Sequence, residues 1–165
     1  VGRVSSGELD AIVLARAGLE RLDLQAHITE AFAVDVMLPA PAQGALAVEC
    51  REGDTALRRL LASLDHADTR RAVTAERQLL HALGGGCSVP VGATATCDGR
   101  RLTLSAGVFA LDTPRAVRLS GSGTDPDALG HALARGLLDL GAGEILAAFD
   151  KTPRLESPAA WGVRA

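Results

Sequence analysis

Apolar residues follow two different rhythms along this chain. From residue 9 to 15 the sequence L-D-A-I-V-L-A is nearly continuous apolar, the pattern of a strand buried on both faces. Residues 17–24 have helical spacing, and Ile28, Ala31 and Phe32 follow at i, i+3, i+4, which predicts short helices packed beside that strand. Pro39 and Pro41 stop the pattern. Residues 45–50, A-L-A-V-E-C, look like a strand again, preceded by Gln43-Gly44, where a glycine permits a tight backbone or close ligand approach. Residues 51–54 read as a turn and 55–64 as a helix.

The second rhythm begins with a helix over residues 67–83, on which Ala72, Val73, Leu79, Leu80 and Leu83 recur at helical spacing, with Arg70, Arg71, Glu76, Arg77 and Gln78 as the polar positions between them. Gly84-Gly85-Gly86 ends it. Alternation then takes over: Val89, Val91, Ala93 and Ala95, a hairpin turn at Asp98-Gly99, then Leu102, Leu104 and Ala106. A turn at Asp112-Thr113-Pro114 returns a third strand over residues 116–120. Thr124 or Asp125 caps a last helix with Pro126 in its first turn and Ala128, Leu129, Ala132, Leu133, Leu137 and Leu140 on one face, closed by Gly141. Residues 151–165 carry two prolines and little periodicity and are expected to form a loose tail. The fold class is therefore α+β: a broken α/β piece up to about residue 64, then a small domain of helix, glycine loop, three-stranded antiparallel sheet and helix. The first piece has too few strands for a sheet of its own, so its partners are expected upstream.

Composition narrows the function. With 165 residues, 47% hydrophobic and 22% charged, the chain can fill a core. Seventeen Lys and Arg against 20 Asp and Glu, a net charge of -3, argue against a broad nucleic-acid surface, and 2% aromatic residues against a base-stacking platform. Cys50, Cys87 and Cys97 lack C-x-x-C spacing and no signal peptide precedes them, which points to a reducing, cytoplasmic setting. No apolar run reaches the 18 or so residues of a membrane span, so no membrane partner is expected. The chain begins at Val1 and its only methionine is Met37, which suggests a piece of something longer.

The candidate chemistry centres on G-G-G-C-S-V-P-V-G, which sets Cys87 between a helix end and a strand start with no bulky side chain on its N-terminal side. A lone cysteine is more often a small buried hydrophobe than a reactive group, and the glycines could be a helix stop alone. A phosphate loop is rejected, because it needs a following lysine and helix, whereas a strand follows here and the only lysine is Lys151. The four histidines have no paired ligand spacing, so no metal site is expected, and no serine sits in a nucleophile elbow. Arg21 and Arg77 lie on predicted helices near these motifs, and a guanidinium can hold a carboxylate in a bidentate pair.

Four separated segments, D-A-I-V-L-A-R-A-G-L-E-R-L, L-P-A-P-A-Q-G-A-L-A-V-E-C, T-A-E-R and L-G-G-G-C-S-V-P-V-G, resemble in order and spacing the porphobilinogen deaminase family, also called hydroxymethylbilane synthases, over about residues 5–150. The resemblance implies a transferase of haem and tetrapyrrole biosynthesis that condenses four porphobilinogen into hydroxymethylbilane with release of ammonia. It does so on a dipyrromethane cofactor bound by a cysteine thioether, with Cys87 as the attachment residue. It also implies that Arg21, Arg77, Gln43, Gly44 and Ala15 border the cofactor and substrate, and that the complete protein is a monomer.

In that frame residues 1–38 are the incomplete C-terminal part of domain two, part of a periplasmic-binding-protein-like α/β domain. Residues 39–64 cross back to domain one, residues 65–150 form the C-terminal cofactor-attachment domain, and residues 151–165 are the tail. No catalytic residue is expected in this chain, because the family's catalytic aspartate lies in an N-terminal region without a counterpart here, and the chain alone is expected to be inactive. Ala42 stands where the family commonly has glycine, a departure expected to leave function unchanged. The rival reading from the residues is a non-catalytic α+β interaction domain in which Cys87 only packs. A thiol redox enzyme is a third, without a resolving cysteine at motif distance.

Overall fold

The computed structural model describes residues 1–86 and 88–151, the side chain of Lys151 excepted. Its contacts divide the chain into two units, Val1–Met37 and Leu38–Ala165. Cys87 and the tail expected over residues 151–165, save the backbone of Lys151, lie outside the described residues.

In the first unit the helices are short: α1 (Gly2–Ser5), α2 (Arg16–Arg21) and a 3₁₀ turn over Gln25–His27. Helix α2 ends earlier than its spacing predicts because Asp23 takes a positive φ of 56°. The Asp23 N–H then bonds back to the Glu20 carbonyl at 3.2 Å and the Leu24 N–H to that of Leu19 at 2.8 Å. Aspartate is among the few residues besides glycine that tolerate this conformation. No helix forms around Ala31 and Phe32. The strand expected over residues 9–15 is not formed either, and Ile12, Val13 and Leu14 stand 49%, 66% and 47% exposed. A strand exists only by pairing, and the unit supplies no strand to pair with.

The same correction applies to residues 45–50, which form no strand and leave Leu46 94% exposed. The helix expected next is present as α3 (Thr55–Leu61), capped by the Asp54 carboxylate accepting from the Leu57 N–H at 3.0 Å and extended by a 3₁₀ turn, Ala62–Leu64.

From residue 67 onward the elements follow the sequence pattern. Helix α4 (Ala67–Ala82) is followed by β1 (Val91–Asp98), β2 (Arg101–Phe109), β3 (Ala116–Gly123), α5 (Pro126–Asp139) and α6 (Ala142–Lys151). The strands form one antiparallel sheet in the order β1-β2-β3. Asp98 pairs with Arg101, so the central residues of the hairpin turn are Gly99 and Arg100, one position later than expected, and Gly99 supplies the positive φ of 55°. Arg71 of α4 fastens that turn, donating to the Gly99 carbonyl at 2.9 Å and the Arg100 carbonyl at 2.6 Å.

One face of the sheet carries the core: Leu79, Leu102, Leu104, Leu137 and Val108 are its largest fully buried side chains. The other carries the small hydroxyls of Thr103, Ser105, Ser120 and Ser122, with Ser105 and Ser120 bonded across strands at 2.7 Å. The α+β class and the three-stranded sheet are those predicted. On α5, Leu129, Leu133 and Leu137 are buried as expected, but Ala128, Ala132 and Leu140 are exposed and Gly130 and Ala134 are buried with the leucines, because Gly130 lets the α5 backbone lie directly on α4. Helix α6 was not foreseen; it restarts after Gly141 at a φ of 94° and returns Ala142 and Ile145 to the core.

Candidate functional site

The loop after α4 is shaped by its glycines. Gly84, at a φ of 71°, closes the helix as the N–H of Gly84 bonds to the His81 carbonyl and that of Gly85 to the Leu80 carbonyl, both at 3.0 Å. Gly85 is packed inward, since a Cβ there would lie 2.6 Å from both the Leu80 and Val89 side chains. A Cβ on Gly84 or Gly86 would meet nothing within 4 Å. The backbone leading to position 87 is therefore packed at Gly85 and has open space at Gly86.

Arg77 is exposed on α4 and makes no hydrogen bond or ion pair among the described residues, which leaves its guanidinium free for an anionic group. Gln43 and Gly44 are exposed on a turn in the same unit, held by the Gln43 N–H bonded to the Ala40 carbonyl at 3.0 Å and the Ala45 N–H to that of Ala42 at 3.2 Å. Arg21, at the end of α2, and Ala15, the residue before that helix, are exposed in the first unit. Among the described residues no group of three or more His, Cys, Asp or Glu comes together as a metal site, and no helix is long and apolar enough to cross a membrane.

The polar centre of the second unit is Glu76, one of the polar positions that the spacing sets between the apolar residues of α4. Glu76 is only 7% exposed. One carboxylate oxygen accepts from the Ala42 N–H at 2.6 Å and the other from the Ala95 N–H on β1 at 2.7 Å. Beside it, the Ala93 N–H donates to the Pro39 carbonyl at 2.9 Å. Gly92 has no side chain where one would collide with Leu38, whose Cβ would be 2.7 Å away. The free edge of β1 is thus covered in part by residues 38–42 and by one carboxylate, which pair the outward N–H groups of Ala93 and Ala95 that an edge strand leaves open. A signal was available: Glu76 lies three and four residues from Val73, Ala72, Leu79 and Leu80, a core position by spacing, and a carboxylate at a core position requires hydrogen-bond donors.

Burial raises the Glu76 carboxyl above its ordinary value, and the N–H bonds from Ala42 and Ala95 pull it back only in part. The folded chain therefore binds this proton up to higher pH than the unfolded chain does. Its contribution to stability is complete below the unfolded value of about 4.3 and is lost as pH rises through the raised folded value. Thermal melts across that window should show wild type losing stability relative to Glu76→Gln as pH rises, whereas parallel profiles would contradict the assignment.

Ala42 holds a positive φ of 65°, a left-handed conformation that costs alanine about 1–2 kcal/mol. Ala42→Gly removes that cost but adds about 0.4–1 kcal/mol of unfolded-chain entropy. A net stabilisation of about 0.5–1 kcal/mol in urea melts is expected.

Comparison with known proteins adds the following. The family model described as "Porphobilinogen deaminase, dipyromethane cofactor binding domain" matches residues 1–59, and "Porphobilinogen deaminase, C-terminal domain" matches residues 70–139. A porphobilinogen deaminase of Mycolicibacterium gilvum is 54% identical over 157 residues, covering 88% of this chain and 50% of that protein. One of Corynebacterium glutamicum is 49% identical over 151 residues, with 88% and 50% covered, and one of Mycobacterium bovis is 50% identical over 175 residues, with 99% and 52% covered. The chain spans about half the length of these curated relatives.

Proposed function

The chain belongs to the porphobilinogen deaminase family, and on that premise we propose that it is part of an enzyme that joins four porphobilinogen molecules into hydroxymethylbilane and releases ammonia. The observation that carries this reading is the match of two models of one family, in order, across most of the chain. The loop ending in Gly86, with its open backbone, supports Cys87 as the residue that holds the dipyrromethane cofactor. The cofactor, once bound, supplies the primer onto which pyrrole units are added and from which product is cut.

What this chain contributes is attachment and positioning. Cys87 would hold the dipyrromethane through a thioether, for which its sulfur must be deprotonated and have room beside it. Arg77 and Arg21 provide guanidinium groups for the acetate and propionate side chains of the pyrroles. Gln43, Gly44 and Ala15 border the channel, with the Gln43 amide and the Gly44 N–H as neutral donors. These groups orient and compensate charge; they do not move the proton. Proton transfer belongs to an aspartate in the half of the relatives' length that this chain does not span.

On this reading residues 1–38 complete a domain with that other half, and the exposed run 9–15 is a strand that pairs there. Residues 39–64 cross between domains, and residues 65–150 carry the cofactor. The complete protein works as a cytoplasmic monomer. It should consume porphobilinogen and release ammonia, giving a pyrrole colour with acid aldehyde reagent in the product, while the 165 residues alone release none. No porphobilinogen consumption by the complete protein would sink the proposal.

A further inference from the structure

We propose that Glu76 is a positioning residue for the turn that carries Gln43 and Gly44, a statement whose functional half rests on the reading above. Its carboxylate is bidentate between two backbone segments far apart in sequence: Ala42, 34 residues earlier, and Ala95, 19 residues later. Covering the edge of β1 at Ala95 needs one acceptor only. The second oxygen is spent on the N–H of a residue in the left-handed region, at the point where the chain turns into Gln43-Gly44.

Charge-assisted bonds from an N–H to a carboxylate are stronger than neutral ones. They fix where the turn leaves the sheet edge and so where the exposed Gln43 side chain and Gly44 N–H lie. The turn's own bonds, from the Gln43 N–H to the Ala40 carbonyl and from the Ala45 N–H to the Ala42 carbonyl, shape it locally, and the Pro39 carbonyl on Ala93 and Leu38 over Gly92 tie the start of the segment to β1; the Glu76 carboxylate ties the turn itself to the sheet edge. Glutamine keeps one acceptor oxygen and turns its NH₂ toward the other donor, so Glu76→Gln releases one side of the clasp at nearly constant volume. Aspartate, one methylene shorter, cannot span both donors.

Amide exchange on the 165-residue chain tests the clasp. Glu76→Gln should speed exchange by about tenfold or more at Ala42 or Ala95, whichever N–H its NH₂ faces, with the amides of Leu104 and Val108 in the central strand unchanged. Uniform acceleration across the sheet, or no change at either of these two amides, overturns the proposal. Should that variant not fold, wild type decides: the Ala42 amide must be protected although its turn faces solvent, and rapid exchange there overturns the clasp.

The functional half is read in the complete protein, where Glu76→Gln should raise KM for porphobilinogen about five- to twentyfold with kcat within about twofold. An unmoved KM beside an altered turn removes the positioning role. A wild-type protein that consumes no porphobilinogen refutes the family activity instead, and leaves the exchange result to decide the clasp.

Discussion

Replacing Cys87 by serine in the complete protein is expected to lower turnover of porphobilinogen by about three orders of magnitude or more, the scale of losing a covalent nucleophile. The cause is chemical. A cysteine thiol titrates near 8.5 and offers a usable thiolate fraction near neutral pH, more where neighbours lower its pKa. A serine hydroxyl has no comparable anion, so the C–O bond replacing the C–S bond does not form at a useful rate. The substitution spares the fold: the helix end is made by backbone bonds of Gly84 and Gly85, and the close packing of the loop is at Gly85 against Leu80 and Val89. Steady-state ammonia release with a thermal melt on the same sample separates the outcomes. A stable, inactive variant is predicted; a stable variant with wild-type turnover would return Cys87 to a packing role.

Gly130→Val is the substitution expected to damage the fold most. A Cβ on Gly130 would lie 2.6 Å from the Ala75 carbonyl oxygen, 2.7 Å from the Gln78 Cβ and 2.9 Å from the Leu79 nitrogen. Two of these three atoms are α4 backbone and cannot swing aside, so α5 must lift off α4 and open the layer that buries Leu79, Leu133 and Leu137. Overpacking a core usually costs about 1–3 kcal/mol, and helix propensity returns less than about 1 kcal/mol for removing a glycine.

A net loss of about 0.5–2.5 kcal/mol is expected, to be set against the 5–15 kcal/mol that holds a typical domain folded. Gly136 is the control, on the same helix: a Cβ there meets only the tip of the Leu119 side chain. Gly136→Ala should leave the midpoint of a urea melt within about 1 kcal/mol of wild type or raise it. Equal losses at both glycines would show that helix contact, and not propensity or tip packing, had been misassigned.

The contrast between the two halves of the sequence explains what could be read from it. Alternation at Val91, Ala93, Leu102, Leu104 and Ala106 names a sheet face because β1, β2 and β3 find their strand partners in one another, close by in sequence. The runs at 9–15 and 45–50 have equally strand-like composition but no local partner, and apolar character alone does not form a ladder. Glu76 escaped because its residue type was weighed above its spacing; a charged side chain on the apolar face of α4 is the mark of a buried acceptor. Gly130 was hidden for the opposite reason, since a helical glycine weakens a prediction and gives no sign that another backbone lies against it. Of the candidate site, the glycine loop, Gln43-Gly44 and Arg77 were legible as motifs. The carboxylate joining the turn to the sheet depends on contacts 19 and 34 residues apart, which no local pattern encodes.

The central claim is that one thiol in this chain holds a pyrrole primer permanently. Intact mass of the complete protein after denaturation, followed by mapping of the proteolytic peptide that contains Cys87, tests it most directly. The account predicts a mass increment of two pyrrole units that survives unfolding and resides on that peptide. An active protein with an unmodified Cys87 would contradict it.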